Sequence, residues 1–280
     1  MIDLHTHSTK SDGTDPPSRI AELAKLAQCS AVALSDHDTL EGVEEAGRRA
    51  GELGVELVPA CEVSCSFEST SAHVLVYFVG AGEGPFESEL VRLREDRIAR
   101  NHEMAARLAD LGLPVSYEEV VAEATSEESV GRPHFAGVLV SKGAAESIED
   151  AFDRWLARGR PGYVPKDRLT PVEVARLARG SGGVAVLAHP LSLGLSRGAL
   201  SSAIGELAAA GFTGVEAVYG GYTPEERAAL SELAREHDLV ATGGSDYHGE
   251  VKPNLAVGTG RGDLKVQDAV LDQLKSRVPR

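Results

Sequence analysis

Short apolar segments alternate with amphipathic helical segments along most of this 280-residue chain. The predicted strands are residues 2–4, 31–34, 56–59, 74–79, 184–187, 214–218 and 240–242. The predicted helices between them are residues 17–29, 43–53, 171–179, 200–210 and 224–238. Several of these helices open on a Pro that follows Asp or Thr, as at Asp15, Thr170 and Thr223. Repeated strand–helix alternation indicates a parallel sheet, either open or closed into a barrel.

One long stretch departs from this alternation. Residues 84–162 carry no strand pattern, and their apolar residues recur at the three-to-four spacing of one-faced helices. We predict a helical insertion subdomain at 84–162 that lies over one end of a barrel formed by residues 1–83 and 163–280. Ordinary crossover helices are the alternative, although a crossover rarely needs so many residues.

The composition limits the partners of the chain. Its 28 basic and 43 acidic residues give a net charge of −15, so it lacks the basic surface that duplex nucleic acid requires. Local positive charge must hold any anionic substrate, and bound divalent ions would supply it. No apolar run approaches membrane-spanning length, and the first residues already read as a strand. We therefore predict a soluble, cytoplasmic protein without a membrane partner.

The three cysteines do not form a recognisable framework. Cys29, Cys61 and Cys65 are odd in number and widely spaced, which fits neither a disulfide scaffold nor a tetrathiolate zinc site. We expect buried, reduced thiols.

Imidazoles and carboxylates collect at the ends of the predicted strands. His5-Thr6-His7 follows the first strand and Asp246-Tyr247-His248 follows the last, and alternate residues point the same way. The complete strand-end set is His5, His7, His37, Glu62, His189, Asp246 and His248. Because the carboxyl ends of parallel strands meet on one face of a barrel, we expect these groups to converge on divalent metal.

Three further candidates lie elsewhere. Asp12 is on the loop after the first strand, and His134 falls in the helical insertion. His73 precedes its strand, so it reaches the same face only if that strand runs against the others or the chain enters from above.

Each of these residues also has an ordinary structural explanation. A single strand-end His is often a hydrogen-bonded structural residue, Asp12-Gly13 alone is typical of a turn, and Asp36 or Asp38 alone could cap a helix. Glu62 alone would be a costly buried carboxylate, a cost that a metal relieves. Cys61 and Cys65 should point away from Glu62 on the same strand. His102 and His237, in charged helical segments, are expected at the surface.

The ordered motifs resemble those of the polymerase-and-histidinol-phosphatase (PHP) phosphoesterases. They are His5-Thr6-His7-Ser8, Ser11-Asp12-Gly13, Ser35-Asp36-His37-Asp38, Glu62, His73, Gly131-Arg132-Pro133-His134, Ala188-His189-Pro190 and Ser245-Asp246-Tyr247-His248. Residues 157–165 resemble the branch that contains RNase AM type enzymes and 3′,5′-nucleotide bisphosphate phosphatases.

This resemblance implies a fold and a ligand set. The fold would be a distorted seven-stranded (β/α) barrel, similar to a TIM barrel, with a trinuclear metal site. One ion would be bound by His5, His7, Glu62 and Asp246, a second by Asp12, His37 and His248, and a third by Glu62, His73 and His134. Some family members have His where this chain has Asp12. The identity of the three divalent ions therefore stays open among manganese, iron and zinc.

The implied activity is hydrolysis of nucleotide phosphate esters by a metal-activated hydroxide, with Glu62 bridging two ions. Arg132 and Lys166 are candidates for binding substrate phosphates, or they are ordinary surface cations. His189 could contact phosphate, protonate the leaving oxygen, or only support other ligands.

Three functions remain open from the sequence. The first is removal of the 3′-phosphate from a nucleotide bisphosphate, or trimming of short single-stranded RNA from its 5′ end. The second is a histidinol-phosphate phosphatase. The third is a non-catalytic, metal-stabilised module that docks a partner. The sequence leaves the oligomeric state open.

Overall fold

The computed structural model describes residues 1–68, 70–80, 82, 84–124, 127, 130–166 and 168–279. The chain divides into two compact units, the first comprising Met1–Leu90 and Arg168–Arg280 and the second comprising Val91–Asp167. The boundaries of the helical subdomain at 84 and 162, and its placement over the barrel, stay predictions. Glu83, the predicted end of the first barrel segment, lies outside the described residues.

The first unit contains a seven-stranded sheet in sequential order. Its strands are β1 (Ile2–Asp3), β2 (Ala31–Leu34), β3 (Glu56–Phe67), β4 (Thr70–Tyr77), β5 (Val184–Leu187), β6 (Gly214–Tyr219) and β7 (Val240–Gly244). Its helices are α1 (Pro17–Leu26), α2 (Val43–Leu53), α7 (Pro171–Gly180), α8 (Arg197–Ala209), α9 (Pro224–Glu236) and α10 (Ala269–Ser276), with short 3₁₀ helices at Pro190–Leu193 and Gly249–Val251.

The sheet curves into a nearly closed barrel. Strand β7 returns beside β1, where the Leu4 amide donates to the Gly243 carbonyl at 3.2 Å and the Asp246 amide donates to the His5 carbonyl at 2.8 Å. All neighbouring strands are parallel except β4, which is antiparallel to both β3 and β5. The predicted distorted seven-stranded α/β barrel is confirmed.

Strands β3 and β4 differ most from their predicted limits. The predicted strand at 56–59 is only the first part of β3, which extends to Phe67, and β4 begins at Thr70 rather than at residue 74. The two pair antiparallel over eight residue pairs, from Ala60 with Tyr77 to Phe67 with Thr70. Glu62 therefore lies inside a strand, whereas the sequence suggested that it lies beyond the end of one.

The side chains of successive strand residues belong alternately to two apolar layers, one inside the barrel and one outside it. The barrel interior contains Ile2, Leu4, Ala31, Ala33, Val58, Ala60, Leu75, Tyr77, Val184 and Val186. The intervening residues Val32 and Leu34 pack outside the barrel, against Ile20 and Ala24 of α1 and Ala46 of α2. This period of two is the expected pattern for strands buried on both faces.

Helix α7 and helix α9 start as their sequences predict. Thr170 and Thr223 each form a capping box with the Glu three residues later. Helix α1 also begins at its predicted Pro17, but its N-cap residue is Pro16, which makes no side-chain cap. Asp15 instead accepts a hydrogen bond from the Tyr247 hydroxyl at 2.5 Å.

The second unit is helical. Helix α3 (Pro85–Asp110) begins in the first unit and continues into the second, which also contains α4 (Tyr117–Ala122), α5 (Arg132–Ser141), α6 (Ile148–Ala151) and a π-helical turn at Phe152–Leu156. Met104, Leu108, Phe135, Leu139 and Leu156 belong to its apolar core. Within the described residues, every helix is too short or too polar to cross a bilayer.

Candidate metal centre

Glu62 is a buried carboxylate of β3 that contacts imidazoles with both oxygens. Its Oε1 lies 2.9 Å from His73 Nδ1 and 2.9 Å from His189 Nε2. Its Oε2 lies 3.0 Å from His7 Nε2, 3.1 Å from His5 Nε2 and 3.4 Å from His37 Nε2. One carboxylate thus contacts imidazoles from β4 and from the segments that follow β1, β2 and β5.

The first group of possible ligands is His5, His7, Glu62 and Asp246, all of which are buried. The two Nε2 atoms of His5 and His7 face each other at 3.0 Å, and Asp246 Oδ1 lies 3.4 Å from each of them. Asp246 has a positive φ of 55°, a conformation uncommon for residues other than glycine. The main chain thus places this carboxylate against both rings.

The second group is His7, Asp12, His37 and His248. Asp12 Oδ1 lies 3.2 Å from His248 Nε2 and 3.6 Å from His7 Nδ1, and Asp12 Oδ2 lies 3.7 Å from His37 Nε2. His7 belongs to both groups because its two ring nitrogens face different carboxylates. A neutral imidazole has one lone pair, so His7 can serve only one ion at a time.

The third group is His37, Glu62 and His73. His73 joins it because β4 runs against its neighbours, which brings the start of this strand to the end of the barrel where the parallel strands finish. His134 lies on α5 in the second unit, where its Nδ1 accepts a hydrogen bond from the Gly131 amide at 3.0 Å. Because that bond uses the Nδ1 lone pair, the neutral ring carries its hydrogen on Nε2, and the predicted role of His134 as a metal ligand stays a prediction.

The donor set fits a divalent cation. Glu216 Oε1 lies 2.9 Å from His5 Nδ1, and the Asp246 carbonyl lies 2.8 Å from His248 Nδ1. These oxygens only accept hydrogen bonds, so the Nδ1 atoms carry hydrogen and each neutral ring turns its Nε2 lone pair into the cluster. Lone pairs that converge on carboxylates from several sides are satisfied together by a metal ion.

The charges of the cluster depend on one another. Burial would raise the pKa of Glu62, but His37 and His5 hold it well below its ordinary value. Burial also opposes ionisation of Asp246, yet His5 and His7 keep the pKa of Asp246 well below its usual range. Burial would likewise raise the pKa of Asp12, but the hydrogen bond from His248 lowers it. The carboxylates are therefore ionised at neutral pH.

The histidines differ in the form that they favour. Burial lowers the pKa of His37 to about 4 despite the attraction of Glu62, which makes this ring neutral at pH 7. Burial also disfavours protonation of His7, but hydrogen bonds to Asp246 and Glu62 raise its pKa to about 9. Metal binding must therefore displace a proton from His7.

Several supporting residues were missed from the sequence. Asp246 Oδ2 accepts hydrogen bonds from the Tyr219 hydroxyl at 2.7 Å and from Lys252 Nζ. Glu216 is a fully buried carboxylate of β6, and only its position inside an apolar strand could have revealed it, by the reasoning applied to Glu62. The buried Asp36 accepts hydrogen bonds from the amide and hydroxyl of Ser8 at 2.7 Å and so shapes the loop after β1.

The other candidates have distinct surroundings. His189 lies beside Glu62 with its Nδ1 3.0 Å from Ser192 Oγ, but it is outside the three ligand groups. Arg132 is held within the second unit, where its guanidinium lies 5.5 Å from the ring centres of Phe152 and Tyr163 and donates to the Leu156 carbonyl. Lys166 is half-buried in the same unit.

The remaining predictions concern residues outside the cluster. Cys29, Cys61 and Cys65 are free and buried, as expected. His102 is exposed as predicted, with 57% of its side chain accessible. His237 is half-buried, because its ring lies against Gly205 and its Nε2 is 3.1 Å from Ser201 Oγ.

Comparison with known proteins agrees with this geometry. The family model of the PHP domain matches residues 3–157. A 3′,5′-nucleoside bisphosphate phosphatase of Chromobacterium violaceum is 29% identical over 279 residues, covering 100% of this chain and 98% of the relative. The 5′-3′ exoribonuclease Rnm of Salmonella typhimurium is 33% identical over 250 residues, covering 89% of this chain and 85% of the relative.

A solved structure shares the complete fold. A protein of Bifidobacterium adolescentis, assigned as a metal-dependent phosphoesterase, is 31% identical and superimposes with a TM-score of 0.75, covering 100% of this chain and 96% of the other. Fold, site and relatives define a phosphoesterase, a hydrolase of phosphoric esters, which confirms the predicted class of enzyme. The chain belongs to the PHP domain family.

Proposed function

We propose that this phosphoesterase binds three divalent ions (Mn²⁺, Fe²⁺ or Zn²⁺) and hydrolyses phosphate esters of nucleotides. The observation that carries the proposal is the position of Glu62, whose two oxygens contact five imidazoles and connect two of the three ligand groups. A carboxylate in this position is suited to bridging two ions.

Each ion has its own set of proposed ligands. The first would be held by His5, His7, Glu62 and Asp246, the second by Asp12, His37 and His248, and the third by Glu62, His73 and His134. The clustering of His and carboxylate atoms in the first unit supports the first two sets and, for the third, Glu62 and His73. The oxygen of Asp12 favours manganese over softer metals at the second position.

Bound divalent ions would lower the pKa of a water molecule and neutralise charge on the phosphoryl group. The side chains of the protein would position the metal ligands and supply a proton to the leaving group. Tyr219 and Lys252 fix the carboxylate of Asp246, while Glu62 fixes the rings around it. Burial opposes protonation of His189, but the contact with Glu62 raises the pKa of His189. A proton held at its Nε2 is suited to protonating the leaving oxygen.

The preferred substrate in this proposal is a small nucleotide that carries an ester phosphate, such as adenosine 3′,5′-bisphosphate. The named activity of the Chromobacterium violaceum relative supports the phosphatase, and that of the Salmonella typhimurium relative supports 5′-3′ trimming of short RNA. The net charge of −15 disfavours duplexes. Arg132 and Lys166 are proposed to bind substrate phosphates, and the reduced, buried cysteines fit a cytoplasmic enzyme.

A product-resolved assay tests the proposal. Protein loaded with Mn²⁺ is incubated separately with adenosine 3′,5′-bisphosphate, histidinol phosphate and a short 5′-phosphorylated RNA, and products are separated by chromatography. We expect release of the 3′-phosphate, mononucleotides from the RNA 5′ end, or both. Hydrolysis of histidinol phosphate alone would contradict the nucleotide assignment. Metal binding without hydrolysis of any of the three would favour a docking module.

A further inference from the structure

Glu216 is a buried carboxylate in the middle of β6 that lies behind the proposed ligands. Its Oε1 is 2.9 Å from His5 Nδ1, and its Oε2 accepts a hydrogen bond from the His189 amide at 2.8 Å. Because an unpaired buried carboxylate is costly, these two contacts account for its presence inside an apolar strand.

The first contact fixes the tautomer of His5. An ionised carboxylate has no hydrogen to donate, so His5 Nδ1 must carry the hydrogen that they share. The opposite nitrogen, Nε2, then faces Glu62 Oε2 at 3.1 Å and His7 Nε2 at 3.0 Å, and in the neutral ring it carries the lone pair that a metal ion would take. Such carboxylate–histidine pairs orient metal-binding rings and increase their basicity.

The second contact holds a strained backbone. His189 has φ 23° and ψ 63°, outside the regions that residues with a Cβ normally occupy. Conformations of this kind are unfavourable and persist only when surrounding contacts enforce them. The bond from its amide to Glu216 Oε2 is such a contact, and it places His189 Nε2 2.9 Å from Glu62 Oε1.

We propose that Glu216 is a positioning residue that sets two groups at once, namely the metal-facing lone pair of His5 and the strained backbone that aims His189 at Glu62. This inference rests on the proposed function, because it gives the two histidines their roles there. Both partners of Glu216 are N–H donors, so only a group with two accepting oxygens satisfies them together.

Glu216→Gln tests this requirement because it keeps the shape and removes one acceptor. If the amide oxygen accepts from His189, the amide NH₂ faces His5 Nδ1 and favours hydrogen on Nε2, where it blocks the lone pair. If the Gln side-chain amide is rotated by 180°, its NH₂ faces the backbone N–H of His189, and two donors then face each other without an acceptor. Exposed Glu236 on α9 provides the matched control, Glu236→Gln.

The first readouts are zinc affinity and the His5 tautomer, both independent of any substrate. We expect zinc to bind roughly 10–100-fold more weakly to Glu216→Gln, as for other residues that support metal ligands. Nitrogen-15 spectra of zinc-loaded wild-type protein should show hydrogen on His5 Nδ1, and this measurement holds even if the variant does not fold. Hydrogen on Nε2 in the wild-type protein, or wild-type zinc affinity in a folded variant, overturns the proposal.

Activity at saturating metal separates the two parts of the role. If Glu216 also positions His189, excess metal leaves a defect in kcat of about tenfold or more, since each 1.4 kcal/mol changes a rate tenfold. Complete recovery of kcat overturns the part that concerns His189. An inactive wild-type enzyme with the expected zinc affinity and tautomer refutes the proposed substrate and leaves the positioning role intact.

Discussion

Glu62→Gln removes a charge that two groups of possible ligands share, with little change in side-chain volume. In the wild-type protein, Glu62 Oε1 contacts His73 and His189, and Oε2 contacts three further rings of the cluster. Gln offers one accepting oxygen and a donor NH₂, so it cannot present an anionic oxygen to both groups. The variant should therefore lose metal from two positions rather than from one.

The expected size of the effect follows from the two oxygens. A charge-assisted contact is worth about 2 kcal/mol, so losing one on each side amounts to about 4 kcal/mol. A loss of about 4 kcal/mol corresponds to roughly a thousandfold weaker transition-state stabilisation. We expect phosphate release by Glu62→Gln to fall by at least that factor and its bound metal to fall by more than one ion per chain.

The assay combines elemental analysis with phosphate release at a defined free Mn²⁺ concentration, and circular dichroism confirms folding. Glu56→Gln is the matched control, because Glu56 lies on the same strand but is half exposed and pairs with Lys275 at 2.7 Å. This control should retain metal and activity. A folded Glu62→Gln protein with full metal content and wild-type rate would refute the bridging role.

The other predictions concern metal supply, pH and the support of Asp246. Prolonged chelation should abolish phosphate release, and added Mn²⁺ should restore it, whereas full activity in chelator contradicts metal dependence. In metal-free protein the raised pKa of His7, about 9, gives stability that is complete below pH 6.5 and lost as the pH rises through 9. Because metal must displace that proton, the gain in Tm on adding Mn²⁺ should grow from pH 6.5 to pH 9 in scanning fluorimetry, and a constant gain contradicts this. Lys252→Met removes one of the two hydrogen bonds to Asp246 Oδ2 and should weaken Mn²⁺ binding roughly 10–100-fold, with exposed Lys265→Met unchanged.

The parts of the fold that were predictable are those with a simple pattern. Strands β2 and β5 match their predicted limits because each is a run of four buried residues between polar turns. Strand β3 was predicted too short because Pro59 and Glu62 interrupt the apolar pattern. Its second half alternates between buried Val63 and Cys65 on one face and polar side chains on the other, which is the weaker signal of a strand beside a polar site.

The candidate site was predictable for residues whose type and spacing in the sequence already indicate a metal ligand. Strand-end motifs made His5, His7 and Asp246 candidate ligands by their types and spacing, and the structure places these three residues together. Glu216 and Lys252 act only through contacts that the fold creates, and Glu216 lies 211 positions from His5 along the chain. The direction of a single strand decided the place of His73, and nothing in its local sequence specifies that direction.

The charge of the cluster imposes an order on binding. Glu62, Asp246, Asp12 and Glu216 supply four carboxylates, and Lys252 is the cation that contacts one of them. Protons on His5 and His7 offset part of that negative charge, but they occupy nitrogen atoms that face the cluster. Bound divalent ions would replace those protons with a higher charge and offset more of the negative charge of the carboxylates. Because the whole chain carries −15, we expect a phosphate ester to bind more weakly before that exchange than after it, so that metal binding precedes substrate binding.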